Sequence, residues 1–158
     1  MKVLIIPKII EPYKKQIEFS IEKRLLIFLK KCFKKCLIDI AYNLNYQKKY
    51  NLIILSGGNT IISHSTKKKD KQRAKLDEFF LRQAKLNKTP IFGICHGAHF
   101  IAKKFNMNFQ VDNNHVGSHP IKNVSKFNIK FKNVNSFHNL KIKYKSLKSI
   151  ENLLLAKD

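Results

Sequence analysis

The stretch Pro90-Ile-Phe-Gly-Ile-Cys-His-Gly97 constrains this chain more than any other. A proline leading an apolar run to Ile94 predicts a short buried strand. Beyond Gly97 the apolar positions 98, 101, 102 and 105 fall on one helical face. Cys95 stands at the junction, with Gly93 and Gly97 two residues to either side. Gly-x-Cys-x-Gly is an analogue of the nucleophile elbow, in which glycines relieve crowding at a sharp strand-to-helix turn. Such a turn lifts the side chain above the sheet and aims it at a helix start. Aligned peptide dipoles and unbonded N–H groups there favour negative charge on sulfur. The bland alternative is an inert cysteine packed in a tight turn. The paired glycines favour the nucleophile.

The rest of the chain supplies a frame for this junction. Lys2–Pro7 is nearly all apolar and reads as a buried parallel strand. Residues 16–33 place Ile17, Ile21, Leu25, Phe28 and Leu29 at three- and four-residue spacing, which predicts a helix. Cys36–Ala41 reads as a second strand and Asn43–Tyr50 as a polar connection. Asn51-Leu-Ile-Ile-Leu-Ser-Gly-Gly58 is a central strand stopped by a glycine turn. Two readings of that turn stand side by side: backbone N–H groups offered to an anion or oxyanion, or an ordinary strand ending. Ile61–Lys71 reads as a loop and Gln72–Leu86 as a helix with Leu76, Phe79, Phe80 and Ala84 on one side. This alternation predicts an α/β fold, a mostly parallel sheet with helices on both faces. Its ligand site is expected at the carboxyl ends of the central strands, where Gly57-Gly58 and Cys95 both fall. After Phe105 the texture becomes polar and short-period, with strands expected over Phe127–Val134 and Leu140–Tyr144. Ile150–Ala156 is apolar and reads as a strand or a short helix.

At 158 residues the chain is long enough for one domain with a real core. No apolar run approaches the roughly 18 residues of a membrane-spanning helix, so no membrane partner is expected. Cys32, Cys36 and Cys95 form no even disulfide framework, which points to a reducing cytoplasm. Cys32 and Cys36 are assigned to packing. The formal net charge of +22 invites a nucleic-acid partner. Yet the basic residues are almost all Lys, with only Arg24, Arg73 and Arg82 beside them, and they are spread along the whole chain. Base readers recruit the bidentate fork of Arg, so no specific nucleic acid is expected.

Four ordered motifs together resemble the class I glutamine amidotransferase-like hydrolases, especially their gamma-glutamyl hydrolase branch. They are Leu55-Ser-Gly-Gly-Asn59, the helix bearing Arg73 and Asp77, the elbow Pro90 to Gly97, and Val134-Asn-Ser-Phe-His138. The resemblance implies a flavodoxin-like three-layer sandwich over residues 1–158. It implies that Cys95 attacks a gamma-glutamyl amide to give a thioester, with the N–H groups of Gly58 and His96 as oxyanion hole. Gly57, Asn59, His99, Ser136, Phe137 and His138 take the substrate-binding positions. The substrate is a small gamma-glutamyl compound, with no cofactor and no metal. Any ammonia transfer calls for a separate synthetase partner. Asn114-His115 and Val134–Asn139 are similar to enzymes that remove glutamate from gamma-glutamyl nucleotide amidates.

Three departures qualify the resemblance. Where the family often has Arg or Leu after the nucleophile, this chain has His96, and where Gln is usual it has His99. The family's general base is the His of a late His-Pro-Glu segment. The sequence closes at Leu155-Ala-Lys-Asp158 without one, so a C-terminally truncated domain with impaired activity is expected. His119-Pro120 comes too early and lacks the acid. Cys95-His96-Gly97 also resembles the ThiJ/PfpI family, in which the histidine beside the nucleophile can serve catalysis. A third reading is an inactive domain kept as a binding module. His64 reads as solvated, and His115 and His119 lack a third metal ligand.

Overall fold

The computed structural model describes residues 1–46, 49–112, 116–123, 132–143 and 154–156. They fall into two compact units, residues 1–101 and 102–158.

The first unit is built on a four-stranded parallel sheet in the order β4-β1-β5-β6. Its strands are β1 (Lys2–Ile6), β4 (Leu37–Ile40), β5 (Leu52–Leu55) and β6 (Ile91–Gly93). Parallel strands are covered on both faces, so β1 and β5 bury residues on each side. Val3, Ile5 and Ile54 pack with Leu29 of α1 (Lys23–Cys32) in one cluster. Leu4, Ile6, Ile53 and Leu55 pack on the opposite face with Leu76, Phe80 and Ala84 of α2 (Lys68–Leu86) and Phe100 of α3 (His96–Lys104). The result is the expected sequence of helix, sheet and helix.

Three local expectations are corrected. Residues 16–20 are not helical: they form β3 (Gln16–Ser20), paired antiparallel with β2 (Lys8–Tyr13). Ile17 and Phe19 alternate with Gln16, Glu18 and Ser20, a two-residue period that the coarser helical spacing masked. Lys15, at φ +70°, makes the turn, and α1 begins only at Lys23. Helix α2 starts at Lys68, inside the expected loop, after a 3-10 turn over Ile62–His64. Cys32 is exposed rather than packed, whereas Cys36 joins the α1 cluster.

The second unit carries short antiparallel pairs. β7 (Phe109–Val111) pairs with β10 (Leu140–Ile142). β8 (Gly117–Asn123) pairs with β9 (Asn133–Ser136) and with β11 (Leu154–Ala156), so the described part of the expected Ile150–Ala156 segment is a strand, while residues 150–153 lie outside the described residues. Most of the strand expected over Phe127–Val134, together with Asn114 and His115, lies outside the described residues.

Candidate functional site

The site is built where β5 and β6 end. Their ladder closes with Ile94 N–H donating to the Leu55 carbonyl at 2.9 Å, and the next residue is Cys95. Cys95 has φ +51° and an exposed side chain. A non-glycine residue in that region carries backbone strain, and such strain collects at functional sites. The turn is tight enough to exclude any side chain at either flanking glycine. A Cβ at Gly97 would stand 2.1 Å from the Leu55 carbonyl oxygen, and one at Gly93 would stand 2.6 Å from Ala98 N. Across the crevice, a Cβ at Gly57 would come within 3.1 Å of the Cys95 Cβ and 3.8 Å of its sulfur. The glycine turn and the elbow therefore meet, as their shared place at strand ends implied. Gly58, at φ +100°, completes that turn in a conformation suited to glycine. His96 opens α3, so its N–H belongs to the first turn, which has no intrahelical acceptor.

Beneath the turn lies a buried polar network that motif reading did not anticipate. Arg73 and Asp77 are fully buried. The Arg73 guanidinium donates to Asp77 Oδ1 at 2.9 Å, to the Pro7 carbonyl at 2.8 Å and to the Ser56 carbonyl at 2.8 Å. Ser56 Oγ in turn donates to the Ile6 carbonyl at 2.7 Å. Asp77 Oδ2 lies 2.7 Å from His96 Nε2, and His96 Nδ1 lies 2.9 Å from the Asn59 carbonyl. Buried charge is tolerated only when paired in this way. The network ties the ends of β1 and β5, the glycine turn, α2 and the elbow into one piece.

Asp70 extends it. Its carboxylate, 2% exposed, accepts from Ser65 Oγ at 2.5 Å, from Asn59 Nδ2 at 2.9 Å and from Thr60 N–H at 3.3 Å. Burial alone raises its pKa, but the bonds from Ser65, Asn59 and Thr60 and the charge of Lys69 outweigh burial and hold it below the ordinary value.

This geometry redistributes several expected roles. The His96 ring is 2% exposed and engages an acceptor at each nitrogen, so it is not placed to relay a proton for Cys95 as the ThiJ/PfpI comparison requires. Asn59 uses its amide on Ile9 N–H, the Ile9 carbonyl and Asp70, which makes it a brace rather than a substrate hook. His99, on α3, is 6% exposed and therefore largely withdrawn from solvent. In the second unit, Ser136 is buried with its Oγ 3.4 Å from the His138 carbonyl, while Phe137 is exposed.

A family model for glutamine amidotransferase class I matches residues 18–152. The chain belongs to that family. Among curated proteins, the gamma-glutamyl-CDP-amidate hydrolase of Campylobacter jejuni is 36% identical over 126 residues, covering 77% of this chain and 56% of that protein. Two solved structures share the fold of this amidotransferase chain. A GMP synthase subunit from Thermoplasma acidophilum superposes with a TM-score of 0.60 at 18% identity, covering 90% of this chain and 66% of that one. A glutamine amidotransferase of Thermotoga maritima gives 0.58 at 17%, covering 90% and 62%. The chain thus spans little more than half the length of its curated relative. Among the described residues, no helix is long and apolar enough to cross a membrane.

Proposed function

We propose that this chain carries the nucleophile of a gamma-glutamyl amide hydrolase and that Cys95 is that nucleophile. The observation that carries the reading is the exposed sulfur on a residue at φ +51°, held where glycines alone fit. Strain of this kind is kept where a reacting atom must be presented.

The Cys95 thiolate attacks the gamma-carbonyl carbon. A C–S bond forms, and the carbonyl electron pair moves to oxygen, facing the N–H groups of Gly58 and His96. Collapse restores the carbonyl and breaks the C–N bond, and the nitrogen takes a proton from water and leaves as the free amine or, from a nucleotide amidate, as the phosphoramidate. Water then attacks the thioester: its oxygen bonds to the carbonyl carbon, the C–S bond breaks, glutamate is released and the Cys95 sulfur is regenerated. Gly57 lines the crevice beside sulfur. By family resemblance Ser136, Phe137 and His138 take the alpha-carboxylate and alpha-amine of the glutamyl group, and His99 stands at the family's substrate-contact position. A separate synthetase is required only if the released nitrogen is passed on rather than lost to water.

The Campylobacter relative is named for a gamma-glutamyl-CDP-amidate, and we take a gamma-glutamyl group on a nucleotide amidate as the substrate class. The test is incubation of the full chain with a glutamine-analogue diazo-ketone, followed by mass analysis. One adduct on Cys95, absent from Cys95→Ser, is expected. A chain that takes no adduct and releases no glutamate from any gamma-glutamyl amide sinks the proposal. An adduct without glutamate release identifies a nucleophile that lacks its base.

A further inference from the structure

We infer that Lys8 selects substrates whose gamma-amide nitrogen carries an anionic phosphoryl group; the inference rests on the hydrolase reading above.

The backbone on both sides of Lys8 is pinned by side chains of the buried network. The Pro7 carbonyl accepts from Arg73 at 2.8 Å. On the other side, Ile9 N–H donates to Asn59 Oδ1 at 2.9 Å, and the Ile9 carbonyl accepts from Asn59 Nδ2 at 3.0 Å. Lys8 thus cannot drift from the carboxyl end of β1.

Its stem lies on the glycine turn. A Cβ at Gly58 would stand 2.4 Å from Lys8 Cδ, 2.9 Å from Cγ and 3.0 Å from Cε. The preceding residue, Gly57, makes the corresponding close approach to Cys95. Lysine and cysteine therefore rest against consecutive residues of one turn, the turn to which the oxyanion N–H of Gly58 is assigned. Among the described residues no carboxylate pairs with the Lys8 ammonium. Asp70 and Asp77, the buried carboxylates of this end of the sheet, are already held by Ser65, Asn59, Arg73 and His96. Ordering a lysine costs rotamer entropy, and a cation fixed at a strand end without a carboxylate suits an incoming anion. The phosphorus of a phosphoryl group on the scissile nitrogen is two bonds from the carbonyl carbon that sulfur attacks, close enough to reach a cation whose stem rests on the same turn.

The test uses the full chain with Cys95→Ser, which blocks turnover. It is titrated calorimetrically with cytidine diphosphate and with cytidine in about 0.15 M salt, where diffuse attraction to a basic surface is damped. Lys8→Met keeps the stem and removes the charge, Lys8→Arg keeps the charge, and Lys85→Met makes the same change in net charge at an exposed position on α2. Cytidine diphosphate is expected to bind at least fivefold more weakly to Lys8→Met and within twofold for the other two, with cytidine indifferent to all three. Unchanged binding in Lys8→Met, an equal loss in Lys85→Met, or no saturable binding of the diphosphate overturns the inference. Diazo-ketone labelling of Cys95 is run separately with the cysteine intact. Its failure in the native chain removes the hydrolase reading, while the titration still decides whether Lys8 holds a phosphoryl anion. Lys8→Met should label at the native rate. Loss of labelling in that variant alone would assign Lys8 to the nucleophile or the oxyanion and overturn the selectivity role.

Discussion

His96 Nε2 lies 2.7 Å from Asp77 Oδ2, a contact that fastens the residue following the nucleophile to the middle of α2. Its other nitrogen faces the Asn59 carbonyl at 2.9 Å. Both partners are oxygen acceptors, so each ring nitrogen is committed to a fixed neighbour. The histidine beside the cysteine is thus a fastening.

Asp77→Ala should be among the costliest single changes in the first unit. It leaves a buried guanidinium and a buried imidazole without their shared carboxylate, a loss of about 3–5 kcal/mol. Urea denaturation followed by far-ultraviolet dichroism measures it. A loss below about 1 kcal/mol would show that water or a rearranged Arg73 replaces the carboxylate.

Gly97→Ala and Gly57→Ala should separate folding from chemistry. The first drives a methyl into the Leu55 carbonyl and should destabilise by about 1–3 kcal/mol or more. The second meets the Cys95 Cβ at 3.1 Å, a contact that small shifts relieve. Its melting temperature should stay near the native value while the rate of diazo-ketone labelling falls several-fold. Equal labelling rates in Gly57→Ala and the native chain would count against the crevice between turn and elbow.

Cys95→Gly should stabilise the fold while removing the nucleophile. Relief of the left-handed backbone is worth about 1–2 kcal/mol, against roughly 0.5–1 kcal/mol for the added freedom of glycine in the unfolded chain. A net gain of up to about 1.5 kcal/mol follows, read from denaturant midpoints. Destabilisation by more than about 1 kcal/mol would mean that the thiol itself supports the fold.

Acid should weaken the native state partly through Asp70. Burial raises its pKa, but the hydrogen bonds from Ser65, Asn59 and Thr60 prevail, and the folded value lies below the unfolded one. The unfolded chain then binds the proton more readily. Stability from this group is complete above the unfolded carboxyl pKa of about 3.9 and is lost as pH falls through the folded pKa. Melting curves between pH 6 and 2.5, taken as a rough span around that value, should fall more steeply for the native chain than for Asp70→Asn. Parallel curves would remove Asp70 from the account.

The elbow, the central strands and the two-sided sheet were legible because they are written in contiguous runs. Pro90 to Gly97 is one unbroken signal, and the glycines at 57, 93 and 97 each proved to stand where a methyl group does not fit without a shift. The β2–β3 hairpin was missed because Ile17 and Ile21 satisfy a helical spacing as readily as Ile17 and Phe19 satisfy a strand period. The network was hidden for a different reason. Arg73 meets the Pro7 carbonyl 66 residues away and His96 meets Asn59 across 37, and no local period records such pairings. One trace was available: Asp70, Arg73, Asp77, Phe80 and Ala84 follow each other at three- and four-residue steps. Charged residues continuing an apolar stripe are an early mark of buried ion pairs, and here all five are buried.

The amide of Asn59 treats Ile9 as a neighbouring strand would, accepting from its N–H and donating to its carbonyl. A side chain thereby closes the ladder at the last residue of the hairpin that matters to the turn. Everything beyond it, from Glu11 through the reversal at Lys15, is exposed and makes no such demand. The hairpin tip is accordingly insulated from the chemistry. It is a place where relatives can diverge in length, or where a tag can be spliced, with the crevice unaware of the change.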